Sequence, residues 1–114
     1  MKVSFKGFNE QAASFSAASG VSAGMTVTVT SNGTVSKSAA DDAFAGIALN
    51  VDGGLACVQL CGYAEAAYTG TAPSLGIVAL AGNGSGGVKA AATGGREVLA
   101  VSVDTTAKTV GFIM

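Results

Sequence analysis

Residues 78–104, VALAGNGSGGVKAAATGGREVLAVSVD, admit two readings, and the choice between them decides the fold. In the first, a strand enters a loop of the form G-x-G-x-x-G at Gly82, Gly84 and Gly87, a helix follows, and a second strand ends at Asp104. A dinucleotide site needs that arrangement: the glycines let a pyrophosphate approach the backbone at a helix N-terminus, and the acid binds a ribose about 20 residues on. In the second reading the glycines only join two antiparallel strands.

Three physical arguments favour the second. The helix would have to form from GSGGVKAAAT, where each interior glycine costs about 1 kcal/mol relative to alanine, before Gly94-Gly95 ends it. Parallel strands also need crossover helices on both faces of their sheet, yet the sequence upstream reads as hairpins and only ten residues follow Asp104. Finally, a two-half nucleotide fold needs more chain than is present.

The hairpins are explicit. Met25, Val27 and Val29 alternate with Thr26, Thr28 and Thr30, then Ser31-Asn32-Gly33 leads into TVSK. Asn-Gly supplies the positive φ angles of a two-residue turn. FAGIALNV is closed by Asp52-Gly53-Gly54 and returns as LACVQLCGYAEAAY, with Ala56, Val58 and Leu60 on one face. Thr69 to Ser74 is a loop holding Pro73, and Gly76 to Ala81 is a short apolar strand. Glu97 to Val103 and Lys108 to Met114, separated by DTTAK, form a terminal hairpin. No amphipathic helix is predicted, so the expected fold is all-β, a small antiparallel β-barrel or sandwich.

Met1 to Gly20 lacks any sustained period and reads as an extended N-terminal arm, leaving residues 21–114 as a single barrel domain. Phe5, Phe8 and Phe15 fall in this segment, and exposed aromatics normally dock. They either cover the open side of the chain's own barrel or contact a neighbouring protein. On the arm reading, a chain lacking residues 1–20 keeps its barrel.

Composition narrows the function. The 114 residues are 49% hydrophobic, but alanine and glycine are abundant and aromatics make up only 6%, so the core is built from small and β-branched side chains. Six basic and seven acidic residues give a net charge of -1 without clustering, which argues against nucleic acid as a partner. A charged fraction of 11% against the usual ~25% leaves a surface suited to contact with other protein. No run approaches the ~20 apolar residues of a membrane span, and a secretory h-region is lacking, so a soluble chain made in the cytoplasm is expected.

Reactive chemistry finds no support. There is no histidine, so Ser-His-Asp and Cys-His arrangements are excluded. Cys57 and Cys61 on one strand face would stand ~13 Å apart. A disulfide spans about 4.4–6.8 Å between Cα atoms, so the two read as small buried apolar residues. They also lack the further ligands a structural zinc requires. Asp41-Asp42, Asp52, Glu65, Glu97 and Asp104 are scattered, and Tyr63 and Tyr68 offer no tryptophan-like sugar platform. No catalytic, cofactor or metal site and no small-molecule substrate is expected.

The segments AGMTVTVTSNGTVSKS, DDAFAGIAL, ACVQLCGYAEAAYTGTAPSLGIVALAGNGSGGVKAA and EVLAVSVDTTAKTVGFIM resemble the capsid decoration, or cement, proteins of tailed bacteriophages. The shared rhythm is a valine-rich hairpin, an F-x-G-I-A strand at Phe44–Ala48, a V-x-L-x-G strand at Val58–Gly62, and a glycine-rich hairpin, together covering Val21 to Met114. The resemblance implies a small barrel on the outside of the assembled phage head. Its partners would be the major capsid protein and other copies of itself, as a dimer or trimer. The protein interface would include the arm residues Phe5, Phe8 and Phe15, though cement proteins usually carry more proline and acid there. The alternatives are another phage structural subunit, such as a fibre, tail or shell domain, and a small ligand-binding β module.

Overall fold

A computed structural model describes residues 11–91 and 94–114, and its described residues contain strands and turns but no helix. The strands are β1 (Gln11–Ala17), β2 (Thr26–Ser31), β3 (Thr34–Lys37), β4 (Gly46–Asp52), β5 (Leu55–Cys61), β6 (Tyr63–Ala67), β7 (Gly76–Gly82), β8 (Val88–Ala90), β9 (Arg96–Asp104) and β10 (Thr109–Ile113). The first five close into a barrel in the order β1-β3-β2-β4-β5, and the last five form a second sheet in the order β6-β10-β9-β7-β8. The fold is all-β, as its sequence predicts.

The barrel is built from the two expected hairpins. Gly33, at φ 66°, turns β2 into β3, with Val29 opposite Val35. Gly53 and Gly54, at φ 60° and 80°, turn β4 into β5, where Val51 faces Ala56. Consecutive left-handed residues match the strand twist of a tight hairpin, which branched residues could adopt only under strain. The interior is thin: Val21, Val27, Val35, Ala48, Ala56 and Val58 are buried, flanked by the partly buried Phe15, Val51 and Leu60.

Part of the expected arm, within the described residues, pairs with the barrel. Residues 11–17 are a barrel strand, antiparallel to β5 with Phe15 opposite Ala56, and parallel to β3 with Ala17 opposite Val35. QAASFSA has no β-branched residue, so backbone pairing to distant strands, not local propensity, makes it a strand. The barrel therefore includes residues 11–17, ahead of the expected boundary at residue 21, and Phe15 packs against its core. Removing residues 1–20 would take out the strand that closes the barrel. Phe5 and Phe8 lie outside the described residues.

A second difference lies at Gly62. The run LACVQLCGYAEAAY reads as one strand, but Gly62 at φ 96° divides it, sending β5 into the barrel and β6 into the second sheet. The buried Gln59 fixes the joint, its side-chain amide donating to the carbonyls of Cys61 (3.1 Å) and Tyr63 (2.7 Å). Beyond it, β6 pairs with β10 and β10 with β9. In the β9–β10 turn the Asp104 carboxylate accepts from the amides of Thr106 (2.9 Å) and Ala107 (3.0 Å), and Lys108 takes the left-handed position at φ 57°.

The second core is larger: Leu80, Val88, Val98, Val110 and Phe112 are buried with Phe44 and Ile47, which come from the approach to β4 and from β4 itself. The rings of Phe44 and Phe112 meet edge to face, with centroids 6.1 Å apart. The barrel thus inserts side chains into the core of the second sheet, so the two bury apolar surface together.

Candidate protein-contact surface

The glycine-rich loop between β7 and β8 is the joint between the two sheets. Asn83 organises it, its side-chain oxygen accepting from the amides of Ser85 (2.8 Å) and Gly87 (3.0 Å). The loop then docks on the barrel: the Thr26 amide donates to Gly86 O (2.9 Å) and the buried Thr26 hydroxyl to Gly87 O (3.0 Å). Gly82 exchanges backbone bonds with Asp41 and Asp42, and an ion pair joins Lys89 to Asp41. A Cβ at Gly82 would lie 2.6 Å from the Ser38 Cβ, and one at Gly87 would lie 2.5 Å from Ala67 O. Two glycines of the G-x-G-x-x-G pattern are therefore required by close approach of backbone to backbone. Strand β8 follows Gly87 where a dinucleotide site would need a helix.

Arg96, the first residue of β9, makes the other connection. Its guanidinium donates to Ala45 O and to Leu60 O (2.9 Å), and lies 5.9 Å from the Phe44 ring centroid. Burial lowers the Arg96 pKa, and the nearby Cys61 opposes that shift. Cys57 and Cys61 are half-buried, less enclosed than their sequence predicts. Among the described residues no three Cys, Asp or Glu side chains gather in a way that could hold a metal ion.

The outer face of the second sheet carries a different feature. Ile77 on β7 stands opposite Leu99 on β9, Leu99 opposite Ile113 on β10, and Ile113 opposite Tyr63 on β6. Directly paired residues share a face, so these four form one apolar row across the sheet. Val98, Ala100 and Phe112 fill the core on the opposite face. Ile77 is 70% exposed, Leu99 39% and the neighbouring Leu75 66%. Acidic groups border the row: Glu97, opposite Ala79, lies on one side. On the other is Glu65, which accepts from the Tyr63 hydroxyl at 2.7 Å. Burial raises the Tyr63 pKa first, and Glu65 adds to it through its hydrogen bond and charge.

Of the expected interface residues, Phe15 is brought to the barrel core and away from this row. The row itself escapes sequence reading because its members come from four strands distant in the chain. The one local signal is the run Leu75-Gly-Ile77-Val78, in which every second position is apolar. No protein-family model and no curated protein matches the chain.

Proposed function

We propose that the chain is a structural virion protein, a capsid decoration protein that binds the outer surface of an assembled phage head and stabilises it by protein contact. The exposed row Ile77–Leu99, extended by Leu75 and rimmed by Glu65 and Glu97, carries this reading. Apolar centres with polar rims are how stable interfaces are built, and large aliphatic side chains left 39–70% exposed are a cost to a protein that stays alone. The barrel and second sheet hold the row rigid, and many copies on one lattice bind together through avidity. The acidic rim fits a shell surface with basic groups around an apolar patch.

The test is addition of the purified protein to empty, preformed heads of the phage that carries its gene, followed by sedimentation, with light scattering on the free protein. A decoration protein is a soluble small oligomer that adds saturably to finished shells. Assembly into shells unaided would make it a shell subunit instead, and failure to sediment with heads would remove the capsid reading.

A further inference from the structure

Two Asn-Gly pairs stand in loops of this chain, Asn32-Gly33 between β2 and β3 and Asn83-Gly84 between β7 and β8. In such a pair a backbone amide can attack the side chain that precedes it, because glycine puts no Cβ in the path. The structure treats the two differently. Asn83 is held: its side-chain oxygen accepts from the amides of Ser85 (2.8 Å) and Gly87 (3.0 Å), and its backbone amide donates to Gly87 O (3.2 Å). A Cβ at Gly84 would lie 3.5 Å from Ala40 N, so the segment after β3 backs the loop there. Asn32 is exposed, and among the described residues neither its side chain nor the Gly33 amide makes a hydrogen bond. A Cβ at Gly33 would meet nothing within 4 Å.

We propose that Asn32 is a site of spontaneous deamidation whose product loosens the closure of the barrel. The Gly33 nitrogen gives up its proton and bonds to Asn32 Cγ; the Cγ–Nδ2 bond breaks and ammonia leaves, closing a succinimide. Water then opens the ring at either carbonyl, leaving aspartate or isoaspartate at position 32, with no oxidant or reductant consumed. The new carboxylate takes the formal net charge from -1 to -2. In the isoaspartyl product the main chain runs through the former side chain, which lengthens it by one carbon ahead of Gly33. That displaces a structural acceptor, since Gly33 O takes the Ser16 amide at 2.8 Å beside the pairing of Ser16 with Thr34. β1 and β3 close the barrel ring, and their register rests on Ser16–Thr34 and Ala17–Val35 alone. Asn83 must give up two hydrogen bonds to turn its Cγ toward Gly84 N, which slows the same reaction there about tenfold or more. This inference does not depend on the capsid reading.

Incubation of the full-length protein in mildly alkaline buffer, followed by peptide mapping with mass spectrometry, tests it. Asn32 should exchange its NH2 for OH and yield both isoaspartate and aspartate, about tenfold or more faster than Asn83. In concentrated urea the two sites should convert at similar rates, because the hydrogen bonds that hold Asn83 are gone. In the separated isoaspartyl form, hydrogen exchange at the Ser16 amide should quicken about tenfold or more relative to the fresh protein. Asn32→Ser, incubated in the same way, should show neither the modification nor the change at Ser16. Equal rates at the two sites in the folded protein, a lag at Asn83 that persists in urea, or unchanged Ser16 exchange in the isoaspartyl form would overturn the proposal.

Discussion

Arg96→Met keeps an apolar stem of similar reach and deletes the guanidinium that ties β9 to the barrel. Two good bonds are lost, to Ala45 O and Leu60 O, while the contact with Phe44 O at 3.5 Å is too long to count. Hydrogen bonds involving a charged group contribute about 1.5–3 kcal/mol each, and cation–π contact with Phe44 about 0.5–1 kcal/mol more. Against that, the variant no longer holds a partly desolvated cation. The net expected loss is about 2–4 kcal/mol, or about 8–17 °C in Tm for a chain this size. Urea unfolding should show a lower midpoint with an unchanged slope, because the two sheets share Phe44 and Ile47 and unfold as one unit. Arg96→Lys should recover only part of the loss, since one ammonium cannot reach two diverging carbonyls as a planar fork does. A stability within about 0.5 kcal/mol of the parent for Arg96→Met would refute the idea that Arg96 clamps the sheets together.

Three further outcomes follow from the same geometry. Gly82→Ala should destabilise by more than about 2 kcal/mol, because its Cβ meets Ser38 and Ala39, whereas Gly33→Ala, with open space around it, should cost only about 1 kcal/mol of backbone strain; chemical unfolding of both gives the comparison. Phe112→Ala, fully buried and packed on Phe44, should cost about 3–5 kcal/mol by the same assay. Tyr63 holds its proton above the ordinary value of 10.0, so its contribution to stability is intact below pH 10.0 and is lost as pH rises through the higher folded value. Glu65→Gln should move the Tyr63 midpoint back toward 10.0 in a tyrosinate absorbance titration, and an unshifted midpoint would contradict the assignment.

The hairpins were legible because their determinants are local: Asn32-Gly33, Asp52-Gly53-Gly54 and the Asp104 turn each lie between alternating segments. The loop at Gly82–Gly87 was legible by elimination, since the residues after it cannot sustain a helix. What escaped is non-local. β1 has alanine and serine where a strand usually has valine or isoleucine, and its partners β3 and β5 are remote in sequence. Gly62 looks like one more residue of a continuous strand until its positive φ redirects the chain. Nothing in the sequence singles out Arg96, and only the fold brings it to the carbonyls of Ala45 and Leu60. The apolar row depends likewise on register: residues 63, 77, 99 and 113 become neighbours only through the pairing of four strands.

The proposed adhesive role of the second sheet is tested most directly by titrating the parent protein and the Ile77→Ser/Leu99→Ser variant onto preformed empty heads. Burial of each side chain at an interface contributes about 1.5–3 kcal/mol, so the pair should weaken binding about 100-fold or more. Thermal stability should stay close to the parent's, because both side chains lie outside the core. Saturation of heads by the variant at the parent's concentration would contradict the account.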